Sequence, residues 1–111
     1  MSQIIEVPKE TLDQIKLIRK LIKAKVKTVS VRNESGTAWG WVAINGSAGY
    51  GNFTDGEEKA LRENFGLITG KSNCYLINPE DRVYYIKKWT GQLTQADKDQ
   101  QARNAYSRSY D

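Results

Sequence analysis

Apolar residues recur through residues 8–26 at spacings of three and four, so that Leu12, Ile15, Ile18 and Ile22 share one side of a helix and Leu17 and Leu21 widen that arc. Lys9, Lys16, Lys20 and Lys23 fall on the opposite side, with Arg19 at its margin. The spacing predicts an amphipathic helix, begun either by Pro8 in its first turn or by a capping box of Thr11 with Gln14. The period then changes to two. Thr28-Val29-Ser30-Val31-Arg32 alternates as a half-buried strand, and residues 38–44 resume the alternation with Trp39, Trp41 and Val42. Between them, Asn33-Glu34-Ser35-Gly36-Thr37 reads as a three-residue hairpin loop with Gly36 in the left-handed position. That loop pairs Asn33 with Thr37, sets Val31 against Trp39 and Val29 against Trp41, and makes both tryptophans core beneath the helix. Arg32, Ser30 and Thr28 then share the other face with Ala38, Gly40 and Val42, and a four-residue loop would exchange the two sets.

Residues 45–53 hold three glycines, Tyr50 and Phe53. They read as a flexible connector or as a binding loop that uses one of the aromatics. Phosphate binding at the helix start that follows is opposed by Asp55, Glu57 and Glu58. Thr54-Asp55-Gly56-Glu57 is a capping box for a second helix, with Ala60, Leu61 and Phe65 inward and Gly66 as its terminator. Two further strands are expected at residues 73–77 and 82–89, joined by a type I turn on Asn78-Pro79-Glu80-Asp81. Val83, Tyr85, Lys87 and Trp89 would then share one face of the last strand, and Tyr84, Ile86 and Lys88 the other. Thr94 caps a final helix from Gln95 to about Tyr106 that has little to bury. Residues 93–111 therefore form a polar helix or a partly disordered tail, with Arg103, Tyr106, Arg108 and Tyr110 available to a partner. The fold expected is α+β in the order α-β-β-α-β-β-α, a four-stranded, mostly antiparallel sheet with helices on one face, forming a single domain over residues 1–92.

Composition narrows the classes. A length of 111 residues suits one core of two layers. The net charge of +4 is unevenly spread. Residues 1–32 carry eight Lys/Arg against three Asp/Glu, residues 33–82 four against seven, and residues 83–111 five against three. Such sidedness attracts nucleic acid or an acidic protein surface. With no histidine and a single cysteine, Cys74, a Cys/His metal site and a disulfide framework are both excluded, and the commonest general base is missing. No enzymatic activity, cofactor or metal is expected. Gly66-Leu67-Ile68-Thr69-Gly70-Lys71-Ser72 falls short of a phosphate-binding loop, having three residues between its glycines where four are needed and a helix where a strand should precede. No stretch has the length of a membrane span and no secretory leader is visible, so a cytoplasmic protein is expected, with oligomeric state open.

Leu17-Ile18-Arg19-Lys20-Leu21-Ile22-Lys23, then Val29-Ser30-Val31-Arg32, a polar turn with glycine and a second strand, resemble the small helix-hairpin associated domains of large polyvalent proteins in phages and plasmids. The resemblance covers residues 17–45. It implies a mobile-element origin and an accessory role delivered with incoming DNA, including action against host defence, and it transfers no site residues. The residues themselves nominate Lys16, Arg19, Lys20, Lys23, Lys25, Lys27 and Arg32 as a phosphate- or partner-binding set, with Tyr50 from the glycine loop and Lys87 and Lys88 interleaved among aromatics. A phage-type inhibitor of a host protein and a homo-oligomeric structural module are the competing expectations.

Overall fold

The computed structural model describes residues 5–70 and 74–109, the side chains of residues 105–109 excepted. Asn73 and Tyr110, and the side chains of Tyr106 and Arg108, therefore lie outside the described part. The elements are α1 (Thr11–Lys25), β1 (Ser30–Asn33), β2 (Val42–Asn45), α2 (Asp55–Phe65), β3 (Tyr75–Ile77), α3 (Arg82–Trp89) and α4 (Gln95–Ser109). The architecture is α+β, and its three strands form an antiparallel sheet in the order β1-β2-β3.

Burial of β-branched residues sets the register. Val31 lies opposite Ile44, which lies opposite Tyr75, and Asn33 lies opposite Val42, which lies opposite Ile77. Val31, Val42, Ile44 and Ile77 form one cluster with Ile15, Ile18 and Ile22 of α1, Leu61 and Phe65 of α2, and Ile86 of α3. The core thus occupies one side of the sheet. Arg32, Ala43 and Leu76 form a row on the other side, where Leu76 is exposed.

Three expectations are corrected. The hairpin register is displaced by five residues, with Ile44 rather than Trp39 opposite Val31. The strands are joined through a turn of 3-10 helix at Gly36–Ala38, and the Asn33 side-chain oxygen accepts a hydrogen bond from the Gly40 amide at 2.8 Å. This longer connection lets Val42 and Ile44, instead of two bulky indoles, fill the space beneath α1. Trp39 is consequently 55% exposed. Secondly, residues 82–89 are a helix, so the sheet has three strands among the described residues and not four. Pro79 at the start of a helical turn, Asn78 accepting from the Glu80 amide, and two acids in that turn constitute a helix start. A type I turn has the same residue preferences, because it is itself nearly one turn of helix. On a helix Tyr85 and Trp89 become stacked neighbours, with ring centroids 5.1 Å apart, and Ile86 reaches the core. Thirdly, the start of α1 has no side-chain cap. Gln14 instead donates to the Pro8 carbonyl at 2.8 Å and accepts from Arg82 at 2.9 Å, and Leu12 is exposed.

The second helix follows its sequence closely. Thr54 and Glu57 cap it reciprocally, and Gly66 ends it at φ 69°, a left-handed conformation costly for any residue with a Cβ. Thr94 and Asp97 form the equivalent pair at the start of α4, which runs as a polar helix to Ser109. No helix among the described residues is long and apolar enough to cross a membrane.

Candidate functional site

The heptad-like spacing of α1 that buries Ile15, Ile18 and Ile22 leaves Lys16, Arg19, Lys20 and Lys23 exposed on the outward flank. Lys25, at the end of the helix, and Lys27, in the turn that follows, are exposed as well. Lys16, Arg19, Lys20, Lys25 and Lys27 make no ion pair among the described residues. The Lys23 ammonium donates to the Val29 carbonyl at 3.0 Å, tying the turn back along the helix. From Lys16 to Lys23 the row spans about 10 Å, at a rise of about 1.5 Å per residue. Cations one helical turn apart, unneutralised and wet, form a positive strip.

The other nominated residues separate from this strip. Arg32 lies on the outer side of the sheet, in an ion pair with Glu34 at 3.3 Å. Lys87 is engaged by Asp97 of α4 at 3.2 Å, and Lys88 stands in the last turn of α3, its ammonium beside Gly66. Neither α3 lysine joins the α1 row.

The loop that carries Tyr50 is tied through Ser47 and Glu57 to Thr28, just beyond the end of α1, and it is an ordered structure, not a slack connector. Gly46 donates to the Gly51 carbonyl at 2.8 Å, Ala48 to Asn52 at 2.9 Å and Gly51 to Ala48 at 3.1 Å. A Cβ at Gly46 would collide with the backbone of Asn52 and Phe53, so the two legs of the loop touch there. Phe53 anchors the returning leg in the core. At the tip, Tyr50 is 97% exposed and holds φ 64°, the one non-glycine left-handed residue described. A tyrosine in that conformation costs about 1 kcal/mol or more, and nothing in the fold recovers it through contact.

Glu57 joins loop, turn and helix. It is buried, and its carboxylate accepts from the Thr28 hydroxyl at 2.5 Å, the Ser47 amide at 3.0 Å and the Thr54 amide at 2.8 Å. Burial alone would raise its pKa; the hydrogen bonds from Thr28, Thr54 and Ser47 prevail and hold it down at about 2. The carboxylate is therefore ionised and turned inward, fastening the glycine loop to Thr28 in the turn that follows α1.

A second aromatic stands at the opposite end. Trp39 borders an open cleft of about 380 Å³ with Glu10, Thr11, Leu12, Asp13 and Lys16, and Leu12 is 52% exposed there. Sequence reasoning missed Trp39 because its assumed hairpin register buried it. It saw Glu57 only as a helix cap, since its bonds to Thr28 and Ser47 are tertiary. No group of three or more His, Cys, Asp or Glu is placed to hold a metal among the described residues. Cys74 is half-buried, and desolvation followed by the nearby Glu34 carboxylate pushes its thiol pKa up, away from nucleophilic reactivity. No protein-family model matches this chain, and neither a curated protein nor a solved structure matches it significantly.

Proposed function

We propose that this chain is a non-enzymatic nucleic-acid-binding protein that holds the phosphate backbone along the outward flank of α1. The observation that carries this reading is the row of exposed cations Lys16, Arg19, Lys20 and Lys23 on one flank of α1, with Lys25 and Lys27 exposed at its end, and no carboxylate paired to any of them among the described residues. Cations without intramolecular partners are free to displace counterions from phosphates, a large source of affinity for a polyanion. The resemblance of residues 17–45 to accessory domains of phages and plasmids fits a protein that travels with DNA. Contacts of this type position a backbone and read no sequence.

The test is a salt titration of binding to short DNA, followed by fluorescence anisotropy. Binding at low salt with a log–log slope of several units is expected. K16E/K20E should flatten that slope by about 1.4–1.8, the share of two phosphate contacts, and K88E should leave it unchanged. Absence of binding at low salt would refute the reading.

A second reading has its own observation: Leu76, in line with Arg32 and the buried Ala43 on the outer side of the sheet, is a large apolar side chain exposed on the edge strand β3. This face suits a protein contact, whether a host protein or another copy of the chain. Light scattering of wild type and L76E separates self-association from the monomer.

A further inference from the structure

We infer, resting on the nucleic-acid reading above, that the ligand is a single strand, held by its phosphates between two base-stacking residues, Trp39 and Tyr50. The chain reverses between α1 and β1 through the tied turn at residues 26–29, so the two elements run antiparallel. The start of α1 therefore lies by the β1–β2 connection that carries Trp39, and its end lies by the glycine loop that carries Tyr50. The first pairing is seen directly in the cleft shared by Trp39, Leu12 and Lys16. The second is seen in Glu57, which bonds Thr28 of the turn and Ser47 of the loop together. Leu12 and Lys25 are separated by about 20 Å of helix. Cations fill the interval, and an exposed aromatic closes each end.

A duplex would waste both aromatics, because its bases are stacked on one another and its outer surface offers sugars and phosphates. A single strand offers base faces, and stacking on aromatic side chains combined with a cationic track is how such strands are held without sequence preference. The charges within the Trp39 cleft point the same way. Glu10 and Asp13 line it beside Lys16, and carboxylates there repel a phosphate while accepting hydrogen bonds from the N–H groups of a base. At the other end, the hydrogen-bonded loop fixes the backbone at Tyr50 before any ligand arrives, so the loop itself needs little ordering on binding. The strip accommodates a strand of about four to eight nucleotides.

The experiment compares oligo(dT) of about twelve nucleotides with a duplex of the same length, by anisotropy at low salt, for wild type, W39A, Y50A and K16E/K20E. Far-ultraviolet circular dichroism and urea unfolding confirm that each variant is folded. Wild type should bind the single strand at least about tenfold more tightly than the duplex. W39A and Y50A should each weaken single-strand binding about five- to hundredfold and leave duplex binding unaltered. Oligo(dT) should also quench tryptophan emission in wild type and lose most of that quenching in W39F. Equal affinity for the two ligands, or aromatic variants that bind like wild type, would overturn the inference while the phosphate reading stands. Failure of wild type to bind either ligand would overturn both.

Discussion

Glu57 is the residue on which the loop, the turn and the second helix converge, and its ionisation couples their assembly to pH. Its folded pKa of about 2 lies below the ordinary 4.5, so the folded state binds this proton less readily than the unfolded chain does. The ionised carboxylate therefore contributes stability that is complete above about pH 4.5 and lost as pH falls towards 2. The contribution is about 3 kcal/mol. Urea unfolding of E57Q at pH 7 should show a loss of that size, because the amide replaces one acceptor oxygen with a donor that faces other donors. Between pH 5 and 2.5 wild type should lose stability more steeply than E57Q, and parallel curves would contradict the role assigned to this carboxylate.

At the scale of elements, Arg82 does for α3 what Glu57 does for the loop. It donates to Gln14 at 2.9 Å, to the Thr11 hydroxyl at 3.1 Å and to the Gly40 carbonyl, so one guanidinium joins α1, α3 and the hairpin connection. Desolvation lowers its pKa from the usual arginine value. R82A should cost about 2–4 kcal/mol in urea unfolding, since the Gly40 carbonyl and Gln14 lose their donor together. R82K should recover only part of that loss, because an ammonium lacks the planar fork that reaches three acceptors. Recovery to wild-type stability by lysine would show that charge, not geometry, matters here.

The last helix is a weaker element. Asp97 accepts from the Thr94 amide and hydroxyl and from Lys87, contacts which hold its carboxyl below the usual range in that order. D97N should leave the global unfolding midpoint close to wild type. It should speed amide exchange in the first turns of α4 several-fold, as loss of a cap and of a tie to α3 requires. A cooperative fall in global stability would mean that α4 belongs to the core unit.

Across the whole molecule, legibility in the sequence followed the range of the interaction. The cation row of α1 was legible because helical period alone puts Lys16, Lys20 and Lys23 opposite Ile15, Ile18 and Ile22. The cap and terminator of α2 were legible for the same reason, since Thr54, Glu57 and Gly66 act within one or two turns of themselves. Trp39 and the identity of residues 82–89 were not. A loop length decided the first, and the helical turn at Pro79–Asp81 leading into packing on α1 decided the second.

The sequence by itself therefore determined that a basic amphipathic helix leads into a β-hairpin, that a capped second helix follows, and that the positive charge gathers in the first third. These are consequences of spacing and of side chains acting on their own backbone. The tertiary structure decided which face of β2 meets the helices, that RVYYIKKW is helical, that Glu57 faces inward, and that Trp39 and Tyr50 are exposed. The strand register depends on what fills the space beneath α1. Val42 and Ile44 fit there, the indole of Trp39 does not, and the register follows from that choice.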